Sequence, residues 1–157
     1  MKSHNYTISL EWTGNKGSGT FDYRSYSRNH VLGASGKHGE ILGSSDPSFR
    51  GDESRYNPEE LFLASISSCH MLWFLHLCAV NNVIVLEYKD EPKGIMEEND
   101  NGSGQFSEVT LFPNVIVSEE NMIEKANSLH HQANEMCFIA NSCNFTIKHQ
   151  PQTKVQS

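Results

Sequence analysis

The chain has 157 residues, enough for one domain with a sizeable buried core. Its 12 Lys and Arg against 19 Asp and Glu leave a formal net charge of −7, which argues against nucleic acid as a partner, because phosphate binding draws on a Lys/Arg surplus. Four cysteines (Cys69, Cys78, Cys137, Cys143) are too few for a disulfide scaffold, and Met1 to Tyr6 carry no apolar signal core. The expected compartment is therefore the reducing cytoplasm, with free or catalytic thiols.

Residues 5–12 alternate β-branched or aromatic with polar side chains and predict a strand; 13–19 hold three glycines and predict a turn; 20–28 predict the returning strand of a hairpin. Residues 33–56, rich in Gly, Ser, Asp and Pro, predict a long connection with one short strand, and a loop of that length points to function. Asn57-Pro58-Glu59-Glu60 is a helix start with a capping Asn, Pro at the first helical position and acids in the first turn.

That helix is expected to run to about Val80 and to end at Asn81-Asn82. Leu61 to Val80 has the length of a bilayer span, but it carries three serines and two histidines and no close flanking Lys or Arg. The expectation is a helix wrapped by protein, with no membrane partner. Strands are predicted at 83–90, 94–98 and 105–117. A second helix begins at Ser118-Glu119-Glu120, with Met122, Ala126, Leu129, Ala133 and Met136 forming one buried stripe. A short strand follows at 144–148, and the tail after Pro151 is expected to be loose. The sum is an α+β fold in a single domain over 1–157: antiparallel strands first, a buried helix, more strands, a second helix and a closing strand.

The chemistry centres on Cys69 in the first helix and Cys137 behind the second. A thiol on each of two packed helices forms a redox pair if the sulfurs face. Cys69 lies 11 residues past Pro58, about 16 Å along the axis, beyond reach of the helix dipole. A reactive Cys69 therefore needs a cation from another segment, and Arg24, Arg28, Arg50 and Arg55 are the candidates. Such an arginine would itself want a carboxylate, which Glu59 or Glu60 could supply. Cys69, Trp73 and His76 share a helix face with Cys78 opposite, so Cys137 or Cys143 is left as the resolving partner; Cys137 continues the buried stripe. Cys78 and Cys143 read as structural, and His70 and His76 as core or interface residues. No Cys-x-x-Cys or His-Glu-x-x-His spacing supports a metal site.

The motif Asn57-Pro58-Glu59-Glu60-Leu61-Phe62 leading to Cys69, with Cys137-Phe138-Ile139-Ala140-Asn141-Ser142 later, resembles the OsmC/Ohr family of osmotically induced and organic-hydroperoxide-resistance proteins. The resemblance covers nearly the whole chain in element order. It implies antiparallel sheets wrapped around two long central helices in an intertwined homodimer with active sites at the interface, and a peroxidase that reduces organic hydroperoxides with a thiol or dithiol reductant and no metal or organic cofactor. It further implies Cys69 as the peroxidatic thiol, Cys137 as the resolving thiol, and Glu59 as the carboxylate orienting an activating arginine, Arg28 ahead of Arg50. The chain departs from the family pattern at Cys69-His70-Met71-Leu72-Trp73, which is bulkier, and at Phe138, where Pro is frequent. An alternative expectation is a binding protein of the same fold, holding a small hydrophobe against Phe62, Trp73 and Phe74, with little or no turnover.

Overall fold

A computed structural model describes residues 1–156. The chain divides into two compact units, Met1–Leu61 and Phe62–Ser157.

The first unit holds one antiparallel sheet of three short strands, β1 (Ser9–Trp12), β2 (His30–Gly33) and β3 (Ile41–Gly43), in the order β1-β2-β3. Trp12 pairs with His30 and Ser9 with Gly33. The return strand expected at 20–28 does not form. Asn15 Oδ1 accepts from the backbone N–H of Gly17 (2.9 Å) and Gly19 (3.0 Å), and Asp22 Oδ1 from that of Arg24 (2.7 Å). These local bonds offer the backbone an alternative to a ladder, so the return is delayed to His30. The long connection is tied down: Ser44 N–H donates to Tyr56 O (2.9 Å), Tyr56 N–H to Leu42 O (3.2 Å), and the Ser44 hydroxyl to Asn29 Oδ1 (3.0 Å).

Helix α1 (Pro58–Val80) begins where the sequence predicts. Asn57 Oδ1 accepts from Glu60 N–H (2.8 Å) and Glu60 Oε2 from Asn57 N–H (3.0 Å), a reciprocal capping box. Its end is equally local. Asn82 adopts φ 59° and Val83 N–H reaches back to Cys78 O (2.9 Å), a Schellman closure with Asn in the left-handed position. By length and composition α1 could cross a membrane; Ile66, His70, Phe74, Leu77 and Cys78 are buried within this chain.

The second unit has two mixed three-stranded sheets. One is ordered β4 (Val85–Lys89), β7 (Asn114–Val117), β9 (Gln152–Val155), and the other β5 (Lys93–Glu98), β6 (Gly104–Leu111), β8 (Ile147–His149). The single long strand expected over 105–117 is broken by Pro113, which has no N–H for a ladder, while Phe112 N–H turns to Asp90 Oδ1 (2.7 Å). The tail after Pro151, expected to be loose, forms β9, parallel to β7; β8 likewise runs parallel to β6. The antiparallel sheets expected from the sequence are thus found in the first unit and corrected to mixed ones in the second.

Helix α2 (Ile123–Met136) starts after a 3₁₀ turn at Glu120–Met122. Ser118 does not cap it; its hydroxyl donates to Met122 Sδ (3.5 Å). Phe74, Leu77 and Cys78 of α1 pack with Ala126, Leu129 and Ala133 of α2 and with Val115 and Val117 of β7. A second cluster gathers Ile66, Val109, Leu111 and Ile147.

Candidate active site

Cys69 sits midway along α1, half-buried, and all four cysteines are free thiols. Cys137 is fully buried and is the cap residue at the C-terminus of α2, with extended φ −70° and ψ 109°, rather than a residue within the helix. Its sulfur accepts the backbone N–H of Ala140 (3.4 Å). Burial pushes the Cys137 thiol up to about 11, and the Cys69 thiol beside it pushes the same way; the Ala140 amide pulls down. The structure therefore brings together two thiols that stand 68 residues apart in sequence. They are unequal: one is accessible to a solute, the other is desolvated and held as a neutral thiol next to it.

Cys78 and Cys143 stand outside this pair. Cys78 is buried in the α1–α2 core and burial pushes it up to about 11. The Cys143 thiol donates to Ile139 O (3.3 Å) and is also raised by burial.

Beside the thiols lies an aromatic wall. Trp73, one turn past Cys69, meets His76 edge-on (centroids 5.7 Å, 82°) and Phe138 edge-on (5.8 Å, 81°). A cleft of about 240 Å³ is lined by Leu72, Trp73 and His76. Phe138, the neighbour of Cys137, is largely exposed. Of the aromatics expected to line a pocket, Phe74 is instead buried in the α1–α2 core and Phe62 packs on Phe106 and Phe145.

In the first unit, the Arg28 guanidinium donates to Tyr26 O (2.8 Å) and Tyr23 O (2.7 Å) and lies over both rings, 4.3 Å from the Tyr23 centroid and 4.1 Å from that of Tyr26. It lines a cleft of about 370 Å³ with Trp12, His30 and Pro58. Arg50 lies 5.9 Å from the Tyr23 centroid. Arg55 pairs with Asp52 (3.5 Å). Glu60 is committed to the capping box, and Glu59, half-buried, forms no ion pair with Arg28 or Arg50 among the described residues. Arg28 and Arg50 thus gather around one tyrosine, and Glu59 is left open.

Three histidines from three elements meet in the second unit. His70 Nε2 and His130 Nδ1 share a hydrogen bond of 3.0 Å, and His149 lies 5.7 Å from His70 and 6.2 Å from His130 by ring centroids. His70 and His130 are buried, whereas His131 faces solvent and pairs with Glu135 (3.2 Å). The sequence places His70 in the core but offers no sign of its partners, because nothing local links positions 70, 130 and 149. Among the described residues no group of three or more His, Cys, Asp or Glu has metal-holding geometry.

The family model for OsmC-like proteins matches residues 51–152. Among solved structures, an OsmC-like protein of unknown function from Vibrio cholerae is 32% identical with a TM-score of 0.84, over 96% of this chain and 100% of that one. An organic hydroperoxide resistance protein from Elizabethkingia anophelis is 23% identical with a TM-score of 0.71, over 98% and 100%. The organic hydroperoxide resistance protein OhrB of Bacillus subtilis is 18% identical with a TM-score of 0.64, over 94% and 98%; these last two similarities are similarities of fold. No curated protein matches the chain. With a family model covering the α1 thiol, the α2 thiol and the strands between, this chain belongs to the OsmC-like protein family.

Proposed function

We propose that this protein is a thiol-dependent peroxidase that reduces organic hydroperoxides to alcohols in oxidative stress defence. The observation that carries the reading is the unequal thiol pair, with half-buried Cys69 beside fully buried Cys137. The Cys69 thiolate attacks the terminal oxygen of the hydroperoxide; the O–O bond breaks, and the alkoxide takes a proton and leaves as alcohol. Cys69 is then a sulfenic acid. The Cys137 sulfur attacks the Cys69 sulfur, water leaves, and the resulting disulfide is reduced by an external thiol or dithiol. Burying Cys137 suits it to wait as a neutral thiol until that sulfur is oxidised.

Arg28 is the proposed activating cation and Glu59 its orienting carboxylate, with Arg50 second. The supporting observation is that Arg28 lines an open cleft together with Pro58, the residue next to Glu59. The acting form is proposed to be a cytoplasmic homodimer. Ile8 and Leu10 on or beside β1, and Leu72 and Val80 on α1, are apolar and more than half exposed in the single chain. Patches of that kind call for a covering surface.

A second reading keeps the fold but not the turnover. The cleft at Trp73, with Phe138 exposed beside it, suits a small hydrophobe. Consumption of cumene hydroperoxide with a dithiol reductant separates the two. The peroxidase requires turnover that falls to background in Cys69→Ser. In Cys137→Ser, turnover is expected to stop after a few cycles, with Cys69 oxidised to sulfinic acid. Folded, reduced wild-type protein without turnover would favour the binding reading.

A further inference from the structure

His70 follows Cys69 directly on α1. On α2, His130 stands two turns before Cys137, the cap residue that ends that helix. The helix pair that presents the two thiols is thus also bridged by the His70–His130 hydrogen bond (3.0 Å). The rings are parallel within 4° with centroids 5.3 Å apart. That separation is too wide for a face-to-face stack, and the short N···N distance makes the contact edge-to-edge. Phe74 stacks on His130 at 3.9 Å and 9°, which fixes the plane of that ring. His70 Nδ1 and His130 Nε2, at the two ends of the row, are buried without partners. Each ring is therefore neutral, one donating and one accepting.

The groups facing this row are few. His149 of β8 faces both rings, and His131 acts on His149 from α2. Tyr88 of β4 reaches the row only through Phe74. No carboxylate hydrogen-bonds or ion-pairs with His70, His130 or His149 among the described residues. A proton added to one ring would sit unpaired in the interior, and protonating both would break the bond, since two imidazolium rings have no acceptor to offer.

We propose that the His70–His130 hydrogen bond is a positioning device that holds α1 and α2 in the register at which Cys69 and Cys137 close a disulfide, and that acid releases it. The inference rests on the thiol pair of the proposed function, but not on peroxide being the oxidant. Burial, reinforced by the neighbouring histidines, lowers His70 from 6.5 to about 4 and His130 to about 3. An opened state binds protons below about pH 6.5 that the closed state refuses. Opening therefore becomes up to about tenfold easier per pH unit for each of the two rings as pH falls from there.

Oxidation by diamide tests this without peroxide. The two thiols give up two electrons and two protons, the S–S bond forms, and the diamide N=N bond becomes a hydrazine. Disulfide formation is followed by mass spectrometry from about pH 7.5 to about pH 4.5. His70→Leu and His130→Phe are expected to slow formation by about tenfold or more at neutral pH, the cost of breaking a buried hydrogen bond. His70→Gln, whose amide can stand in for Nε2, should recover most of the rate. Wild type should lose rate below about pH 6.5 more steeply than thiolate ionisation alone predicts, about tenfold per unit. The double variant His70→Gln, His130→Asn should keep only that shallower slope. The wild-type profile needs no variant to fold. A wild-type slope equal to thiolate ionisation, or Leu and Gln at position 70 giving equal rates in folded protein, would overturn the proposal. Normal diamide results without peroxide turnover would overturn the peroxidase reading alone.

Discussion

The two units of this chain are stabilised by different means. Among the described residues all 14 buried hydrophobic side chains lie beyond Leu61, so the second unit has two true cores and none of these side chains falls in the first. The first is held by backbone pairing and by polar ties such as Ser44 to Asn29 (3.0 Å). Its large apolar side chains, Tyr6, Ile8, Leu10 and Phe21 among them, are open to solvent. Apolar burial is the main favourable term in folding. A three-stranded sheet without it is marginal in water and gains stability from whatever surface covers it.

That contrast can be broken most directly by truncating one side chain in each unit. Phe74→Ala should lose about 3–5 kcal/mol of unfolding free energy, the transfer loss plus the cavity, in denaturant titration. Leu10→Ala should cost under about 1 kcal/mol at protein concentrations where the chain is a monomer. A much larger cost, growing with concentration, would mark Leu10 as an interface residue and sharpen the dimer proposal. A second test uses the buried thiols, which only the second unit contains. Burial raises Cys78 and Cys137 from 9.0 to about 11. The unfolded chain therefore releases these protons first, and stability falls as pH rises from about 9 to about 11. Each thiol accounts for roughly 2–3 kcal/mol of that fall. Comparing denaturation midpoints at about pH 8 and pH 10.5 checks it, and Cys78→Ala should remove about half of the alkaline loss.

The smaller effects lie at polar sites. Asn57→Ala removes the cap of α1 and should cost about 1 kcal/mol, with Glu60→Ala costing less because the Asn57 bond survives. Lys148→Ala breaks the exposed pair with Glu108 (2.7 Å) and should shift stability by under about 0.5 kcal/mol. A larger loss there would show that the parallel β6–β8 pairing depends on that ion pair.

The candidate site was legible in part. Cys69 stood out from its spacing to Asn57-Pro58, and α1 was readable at both ends because capping box and Schellman closure are contacts within six residues. Cys137 was legible as a thiol but not as a cap. Its extended backbone follows from the chain turning to place Ala140 N–H on the sulfur, a choice that α2 periodicity does not contain. The missed return strand at 20–28 shows local chemistry defeating alternation, as Asn15 and Asp22 captured backbone amides that a ladder would have used. β9 was missed for the opposite reason: its partner β7 lies far upstream, and a parallel pairing carries no local signal.

By itself, then, the sequence determined what neighbours along the chain can decide: where α1 starts and stops, which face of α2 is apolar, and that thiols stand ready on two elements. Only the tertiary structure decided which of four thiols meet, and that His70, His130 and His149 share one interior point. Those pairings span tens of residues and are selected by the packing of α1 against α2 and the sheets. The energy that selects them is the burial of Phe74, Leu77, Leu129 and Val117 together, which no short stretch of the chain contains.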